Sequence, residues 1–426
     1  MFSRLAAFAA LVAVLVAALP ARAGDRLTLD DAFARVAAFH PDLRLPALRS
    51  QVLAAELDEA SQRPVLRAGV ELENALGTGE YAGVNSAELT LSLASVLERG
   101  GQRDARLALA QSRIDALAPE RDAARLDLLA ETARRYLDVV GARHRRDLAD
   151  ADIAQRKRTV AAARQRFNAG ASPESVVLTA RAALARAELD QRRAAQTADA
   201  ARQHLAALWG EREPRFEAAT DDPLALPAIP DFDALAALLQ RTPDLARFAD
   251  ERRIGEARLQ LARSQAKADL DWQFGVRAFN DGEDAALVAS VSMPLSGTRR
   301  AQPQIRAAQA ELAMLEIECE SRGLSLYSTL VDAHGRYRVT QLEVLRLRDD
   351  VLPALARAEA AAERAYRAGA ISYLEWAQLQ SERTAVARQQ LDAALDARRA
   401  LIEIQRLTAD AFVQPAARTT NTGASP

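Results

Sequence analysis

Leu270-Asp271-Trp272-Gln273-Phe274-Gly275-Val276-Arg277-Ala278-Phe279 places an apolar side chain at every even position and mostly polar or small ones between. Period-two alternation is the mark of a strand with two unlike faces. Three more runs behave the same way. In Val65 to Glu73, Leu66, Ala68, Val70 and Leu72 oppose Arg67, Gly69, Glu71 and Glu73. In Glu88 to Leu97, Leu89, Leu91 and Leu93 oppose Glu88, Thr90 and Ser92. In Ala286 to Leu295, Leu287, Ala289, Val291 and Met293 oppose Ser290 and Ser292. Each run has about the 9–11 residues a tilted strand needs to cross a bilayer, with lipid on one face and a polar lumen on the other. Arg67, Glu71, Glu73, Asp271 and Arg277 then face the lumen as a water-holding wall rather than a binding site. Two amphipathic hairpins on a soluble helical body fit the same alternation. Strands in lipid must close into a barrel. Four strands are too few, so copies must pool them: two copies give eight strands and three give twelve.

Working outward, each strand pair lies between helices, and the plan occurs twice. His40-Pro41-Asp42-Leu43 returns as Thr242-Pro243-Asp244-Leu245, and Arg166-Phe167-Asn168-Ala169-Gly170-Ala171 as Ala365-Tyr366-Arg367-Ala368-Gly369-Ala370, an offset of about 200 residues. Each half reads as a helix (29–62; 232–266), a β-hairpin (65–97; 269–296), a very long helical stretch (101–168; 300–368), a glycine turn and a last helix (173–208; 371–410). Leu126, Leu129, Ala133, Tyr136, Leu137 and Val140 form one apolar seam at helical spacing. Pro119 and Pro353 should kink the long stretches. A helix of nearly 70 residues spans roughly 100 Å, more than a compact domain needs. The first repeat is placed at 24–212, a Pro-rich linker at 213–231, the second repeat at 232–412 and a disordered tail at 413–426.

Residues 1–23 read as a secretory signal: Arg4, an apolar run from Leu5 to Leu19, Pro20, then Ala21-Arg22-Ala23. No cysteine follows the cleavage pattern, so N-terminal lipidation is not expected. Composition agrees with long, closely packed helices. Alanine exceeds a fifth of the 426 residues, aromatics are 5%, and Lys157 and Lys267 are the only lysines. A formal charge of -2 argues against a nucleic-acid partner. The single cysteine, Cys319, excludes an internal disulfide framework and reads as a small core residue; His40, His144, His204 and His334 form no ligand pair. Phosphate-loop, nucleophile-elbow and dinucleotide motifs are missing. No cofactor is called for, and the chain does not read as an enzyme.

Signal, duplication, two strand pairs, two very long helices and a [Phe/Tyr]-x-x-Gly turn in each half resemble the TolC-like outer-membrane efflux factors over residues 27–412. Glu73-Asn74, Gly77-Thr78-Gly79-Glu80-Tyr81, Ala87-Glu88-Leu89-Thr90-Leu91 and Glu98-Arg99-Gly100-Gly101-Gln102-Arg103 resemble the CzcC-type branch, which serves heavy-metal pumps of the resistance–nodulation–division class. The chain departs from that branch where Val96 replaces its usual Pro and Arg99 and Gln102 its Leu and Lys. The resemblance implies a mainly α protomer with four β-strands, a homotrimer, a twelve-stranded barrel in outer-membrane lipid and a helical tunnel projecting into the periplasm. It implies a periplasmic adaptor (membrane fusion) protein and an inner-membrane pump as partners. The turns Phe167 to Gly170 and Tyr366 to Gly369 would be the adaptor-docking tips, and Glu375 would form an acidic ring at the periplasmic aperture. Ordinary helix capping by the two glycines and a solvated carboxylate at Glu375 are the simpler readings. Heavy-metal export is the expected function; drugs or organic solutes through the same duct, or a soluble periplasmic coiled-coil protein, are the alternatives.

Overall fold

The computed structural model describes residues 26–219, 222–282, 284–295 and 297–412. The expected signal segment 1–23 and tail 413–426 lie outside the described residues. The elements run β1 (Arg26–Leu27), α1 (Leu29–Phe39), α2 (Leu45–Ser61), β2 (Arg67–Glu73), β3 (Glu88–Leu97), α3 (Gln102–Asp115), α4 (Leu117–Asn168), α5 (Glu174–Ala206), β4 (Glu217–Ala218), α6 (Phe232–Leu238), α7 (Pro243–Ser264), β5 (Leu270–Phe279), β6 (Ala285–Ser292), α8 (Gly297–Arg346), α9 (Leu352–Ala368) and α10 (Tyr373–Thr408).

The leading helix of each half is broken, where the sequence suggested one piece. His40 and Thr242 are both extended, with ψ of 127° and 146°. Each precedes a proline, whose ring disfavours helical backbone at the residue before it. The long stretches are interrupted too. Ala116 separates α3 from α4 three residues before Pro119. In the second half, a π-helical turn at Leu347–Val351 joins α8 to α9 just before Pro353.

The four long strands form one antiparallel sheet in the order β2-β3-β5-β6. Ten register pairs, Glu88↔Phe279 through Leu97↔Leu270, join the halves at the β3–β5 ladder. A second, two-stranded parallel sheet was not anticipated: β1 pairs β4, Arg26 opposite Glu217 and Leu27 opposite Ala218. This pair brings the Pro-rich stretch into the fold. Phe216 and Ala218 are buried there against Leu27, Val36, Tyr136 and Leu205. The Tyr337 hydroxyl donates to the Pro227 carbonyl, and burial pushes its phenol up to about 12.

The helical body packs on small residues. Ala130, Ala163, Ala206, Ala394 and Ala397 are fully buried. The anticipated seam is observed in part: Ala133, Tyr136, Leu137 and Val140 are buried. At Gly141, α4 passes so close to α10 that an added Cβ would lie 2.7 Å from Leu395 Cδ1. Small side chains permit this spacing, which places α10 between α4 and α8.

Candidate functional site

The strand register sorts the alternation into two faces. On one lie Arg67, Glu71, Glu73, Glu88, Thr90, Ser92, Asp271, Gln273, Arg277 and Ser290. On the other lie Val70, Leu72, Leu89, Leu91, Leu93, Phe274, Val276, Leu287 and Val291, all exposed, Leu287 at 88%. A continuous apolar face this large is not left to water by a soluble protein. It suits contact with lipid.

Of the five expected lumen residues, the structure joins two. Arg277 lies 2.7 Å from Glu73 Oε2 and 2.8 Å from Glu88 Oε2, and its Nε donates to Thr90 Oγ1 at 2.9 Å. This clasp ties β2 and β3 to β5, across the boundary between the halves. Glu88 and Thr90 completed it unforeseen, because which residues share a row depends on register. Arg67 and Asp271 sit at the helix-side end of the same face, around an open cleft of about 1000 Å³. There Glu98 receives both terminal nitrogens of Arg106, at 2.5 and 3.0 Å. Glu71 stays exposed in mid-strand, opposite Thr90.

Strand order also dictates helix order. In the upper body α2 packs on α3, α3 on α7 and α7 on α8. In the lower body α5 packs on α4, α4 on α10 and α10 on α8 and α9. The outer members are therefore β2, α2 and α5 along one side and β6 and α8 along the other. Both sides are apolar and uncovered. α8 exposes Met314, Ile317, Leu324, Val331 and Leu345, and the seven-residue steps from Ile317 to Leu324 to Val331 are those of a coiled-coil seam. α2 exposes Leu45, Leu48 and Val52, and α5 exposes Leu178 and Leu189. β6 would meet β2 of another copy in antiparallel sense, continuing the sheet. Such a head-to-tail joint generates a ring where its rotation closes.

At the far end of the body the two glycine turns come together. Gly170 and Gly369 have φ of +70° and +84°, the left-handed conformation that ends helices without Cβ strain. Phe167 and Tyr366 occupy equivalent sequence positions, and the structure separates them. Phe167 is 41% exposed, whereas Tyr366 is 2% exposed. Its ring stacks on Trp376 at 5.1 Å, beneath the Arg166 guanidinium at 4.9 Å, and burial pushes its phenol up. Tyr366 thus supports the tip from inside, while Phe167 at the equivalent position faces outward. Arg166 donates to the carbonyls of Tyr366 and Ala171, bridging the two turns. Its role was missed because only the fold brings the turns together.

Glu375 lies exposed in the first turn of α10. Its backbone N–H donates to the Ser372 hydroxyl at 3.3 Å, so Ser372-Tyr373-Leu374-Glu375 provides half of a capping box. The carboxylate itself is left facing outward. Among the described residues no group of three or more His, Cys, Asp or Glu is placed to hold a metal ion. No described helix is long and apolar enough to cross a membrane.

Comparisons with known proteins agree with this geometry. The family described as "Outer membrane efflux protein" matches residues 25–211. The cobalt-zinc-cadmium resistance protein CzcC of Cupriavidus metallidurans is 29% identical over 281 residues, 66% of this chain and 67% of that one. The nickel and cobalt resistance protein CnrC of the same organism is 28% identical over 300 residues, 68% of this chain and 71% of that one. The solved outer membrane protein VceC of Vibrio cholerae superposes with a TM-score of 0.73 at 17% identity, covering 90% of this chain and 97% of that one.

Proposed function

This chain belongs to the outer membrane efflux protein family, and from that premise we propose that it is the exit duct for heavy-metal cations in a tripartite pump. It is an outer-membrane efflux channel and not an enzyme. The observation that carries the cargo assignment is its similarity to two metal-resistance proteins along two thirds of its length. The sheet supports the duct itself: an apolar outer face, a polar inner face and two unpaired edges describe one sector of a barrel. Three copies joined β6 to β2 give twelve strands, and the α8 stripe of each copy closes on α2 and α5 of the next. The barrel, without an N-terminal lipid, anchors the protein. A resistance–nodulation–division pump in the inner membrane supplies the energy. A periplasmic adaptor docks on the tips at Phe167 and around Gly170 and Gly369, over the buried support of Tyr366.

No step in this function requires tight cargo binding. A wall that held the ion firmly would slow its exit, so the lumen needs only water and a favourable field. Three copies of Glu375 around a narrow aperture concentrate negative potential and raise the local cation concentration.

A strain lacking the gene, challenged with Co, Zn, Cd, Ni, Cu and Ag, tests the assignment. Greater sensitivity to at least one metal, reversed by the intact gene and reversed less fully by Glu375→Gln, is expected. Equal growth of mutant and parent on every metal overturns the metal cargo, and sensitivity to organic compounds instead would reassign the duct.

A further inference from the structure

The polar face of the sheet changes character along its length. At the helix end one guanidinium, Arg67, is matched by one carboxylate, Asp271. At the far end three carboxylates, Glu71, Glu73 and Glu88, are accompanied by one guanidinium, Arg277. The connecting stretches beyond, 74–87 and 280–284, add Glu80, Asp281, Glu283 and Asp284 and contain no basic residue. The face therefore runs from balanced charge beside the helices to excess negative charge at the opposite end. The clasp decides which carboxylate is left free. Arg277 stands in the same cross-strand row as Glu71, with Thr90 between them, two strand spacings or about 10 Å away. It turns out of that row. Its Nε is anchored on Thr90 Oγ1 at 2.9 Å, and Thr90 is buried. Its terminal nitrogens go to Glu73 and Glu88, at 2.7 and 2.8 Å. The other oxygen of Glu88 accepts from Asn74 Nδ2 at 2.8 Å. Glu71 is exposed, and among the described residues it has no ion-pair partner.

A free carboxylate on a water-filled wall acts on passing ions through its field, without coordinating them. At physiological salt an exposed charge is felt over about 8 Å, and low-dielectric walls focus its field into the water they enclose. Three copies of Glu71 make one ring of fixed negative charge, in which cations gather and from which anions are held back. Glu375 cannot supply this field. It lies at the opposite end of the helical body, and α10 alone carries the chain about 50 Å from Glu375 toward the sheet.

We propose that Glu71, left free by the Arg277 clasp, selects cations in the outer part of the lumen, independently of Glu375. The inference rests on the duct reading above and names a residue in it that favours a cationic cargo. The test is the reversal potential of the full chain in planar bilayers, read in KCl gradients of both directions. The protein is added to one side only. No described helix can cross the membrane, so the helical body stays on the side of addition and the two ends are told apart. The unaltered protein should prefer potassium over chloride about threefold more strongly when the dilute solution bathes the sheet end, where the fixed charge is then least screened. To remove the aperture charge, the comparison is repeated in the Glu375→Gln protein. Adding Glu71→Gln to it should lower the remaining cation preference about threefold. An unchanged preference on adding Glu71→Gln overturns the assignment and leaves the duct intact. A preference in the unaltered protein that is stronger with the dilute solution at the helical end also overturns it, and needs no variant to assemble. An unaltered protein that never conducts defeats the channel reading and this inference with it.

Discussion

The sheet and the helical body use apolar residues in opposite senses. In the sheet, leucine, valine and phenylalanine point outward and remain exposed, while Arg277, Glu73 and Glu88 meet on the other face. In the body, alanines lie inside, and the charged residues lie mostly outside in pairs such as Arg406–Asp127 and Arg399–Asp138. The difference follows from solvent. Lipid rewards an apolar exterior, and water in the lumen solvates the charges there. Water outside the tunnel rewards the ordinary arrangement, and close helix packing then favours small core side chains. One chain therefore carries two hydrophobicity rules, changing over at the sheet–helix junction near Glu98 and Asp269.

The largest test of that contrast is in the body. Trp376 is fully buried, so Trp376→Ala should cost about 3–5 kcal/mol in the tip core, read as an early denaturation step in detergent. A cost below about 1 kcal/mol would mean that the tip aromatics are not core. The sheet should then obey the other rule. Leu91→Arg, in mid-strand on the apolar face, should cost about 2–4 kcal/mol per copy and deplete the oligomer recovered from outer membranes. Gln273→Arg, on the polar face, should be recovered at parental levels. Equal loss for both would remove the distinction between the faces. The smallest effect sharpens the body's end of the comparison. Thr28 and Asp31 form a reciprocal capping box at α1, so Thr28→Ala should cost about 1 kcal/mol. Hydrogen bonds from the Thr28 hydroxyl and backbone N–H hold the Asp31 carboxyl below its ordinary value. A depressed carboxyl stabilises the fold above the ordinary carboxylate range and loses that contribution as pH falls through the folded value. The difference between parent and variant, followed by thermal melting, should therefore shrink below about pH 4.

Much of this plan was readable from residues alone because it rests on local periodicity. The Glu88–Leu97 and Leu270–Phe279 strands match their alternating runs end to end, since period two is a property of the backbone itself. The tip glycines were readable because few other residues accept positive φ. Helix interruptions were less so. Pro41 and Pro243 were visible, yet the helices were carried through them. At Pro353 a kink was expected and a widened turn is present, because only the packing of Val344 and Leu347 decides how the lost hydrogen bond is absorbed.

The sites divide along the same line. Arg67, Glu71, Glu73, Asp271 and Arg277 could be assigned to one face by counting in twos. That Arg277 should choose Glu73 and Glu88 required the cross-strand register, which depends on two hairpins about 200 residues apart in the chain. Phe167 and Tyr366 look equivalent in the sequence, and only the three-dimensional contacts put one outside and the other under Arg166. By itself the sequence determined the strands and their two faces and the long helices, because each pattern repeats within a few residues, and the duplication, because its motifs return in the same order in the second half. The tertiary structure decided which charges meet, which tip aromatic is buried and which strands stand at the edges of the sheet, because those depend on distances between segments far apart along the chain.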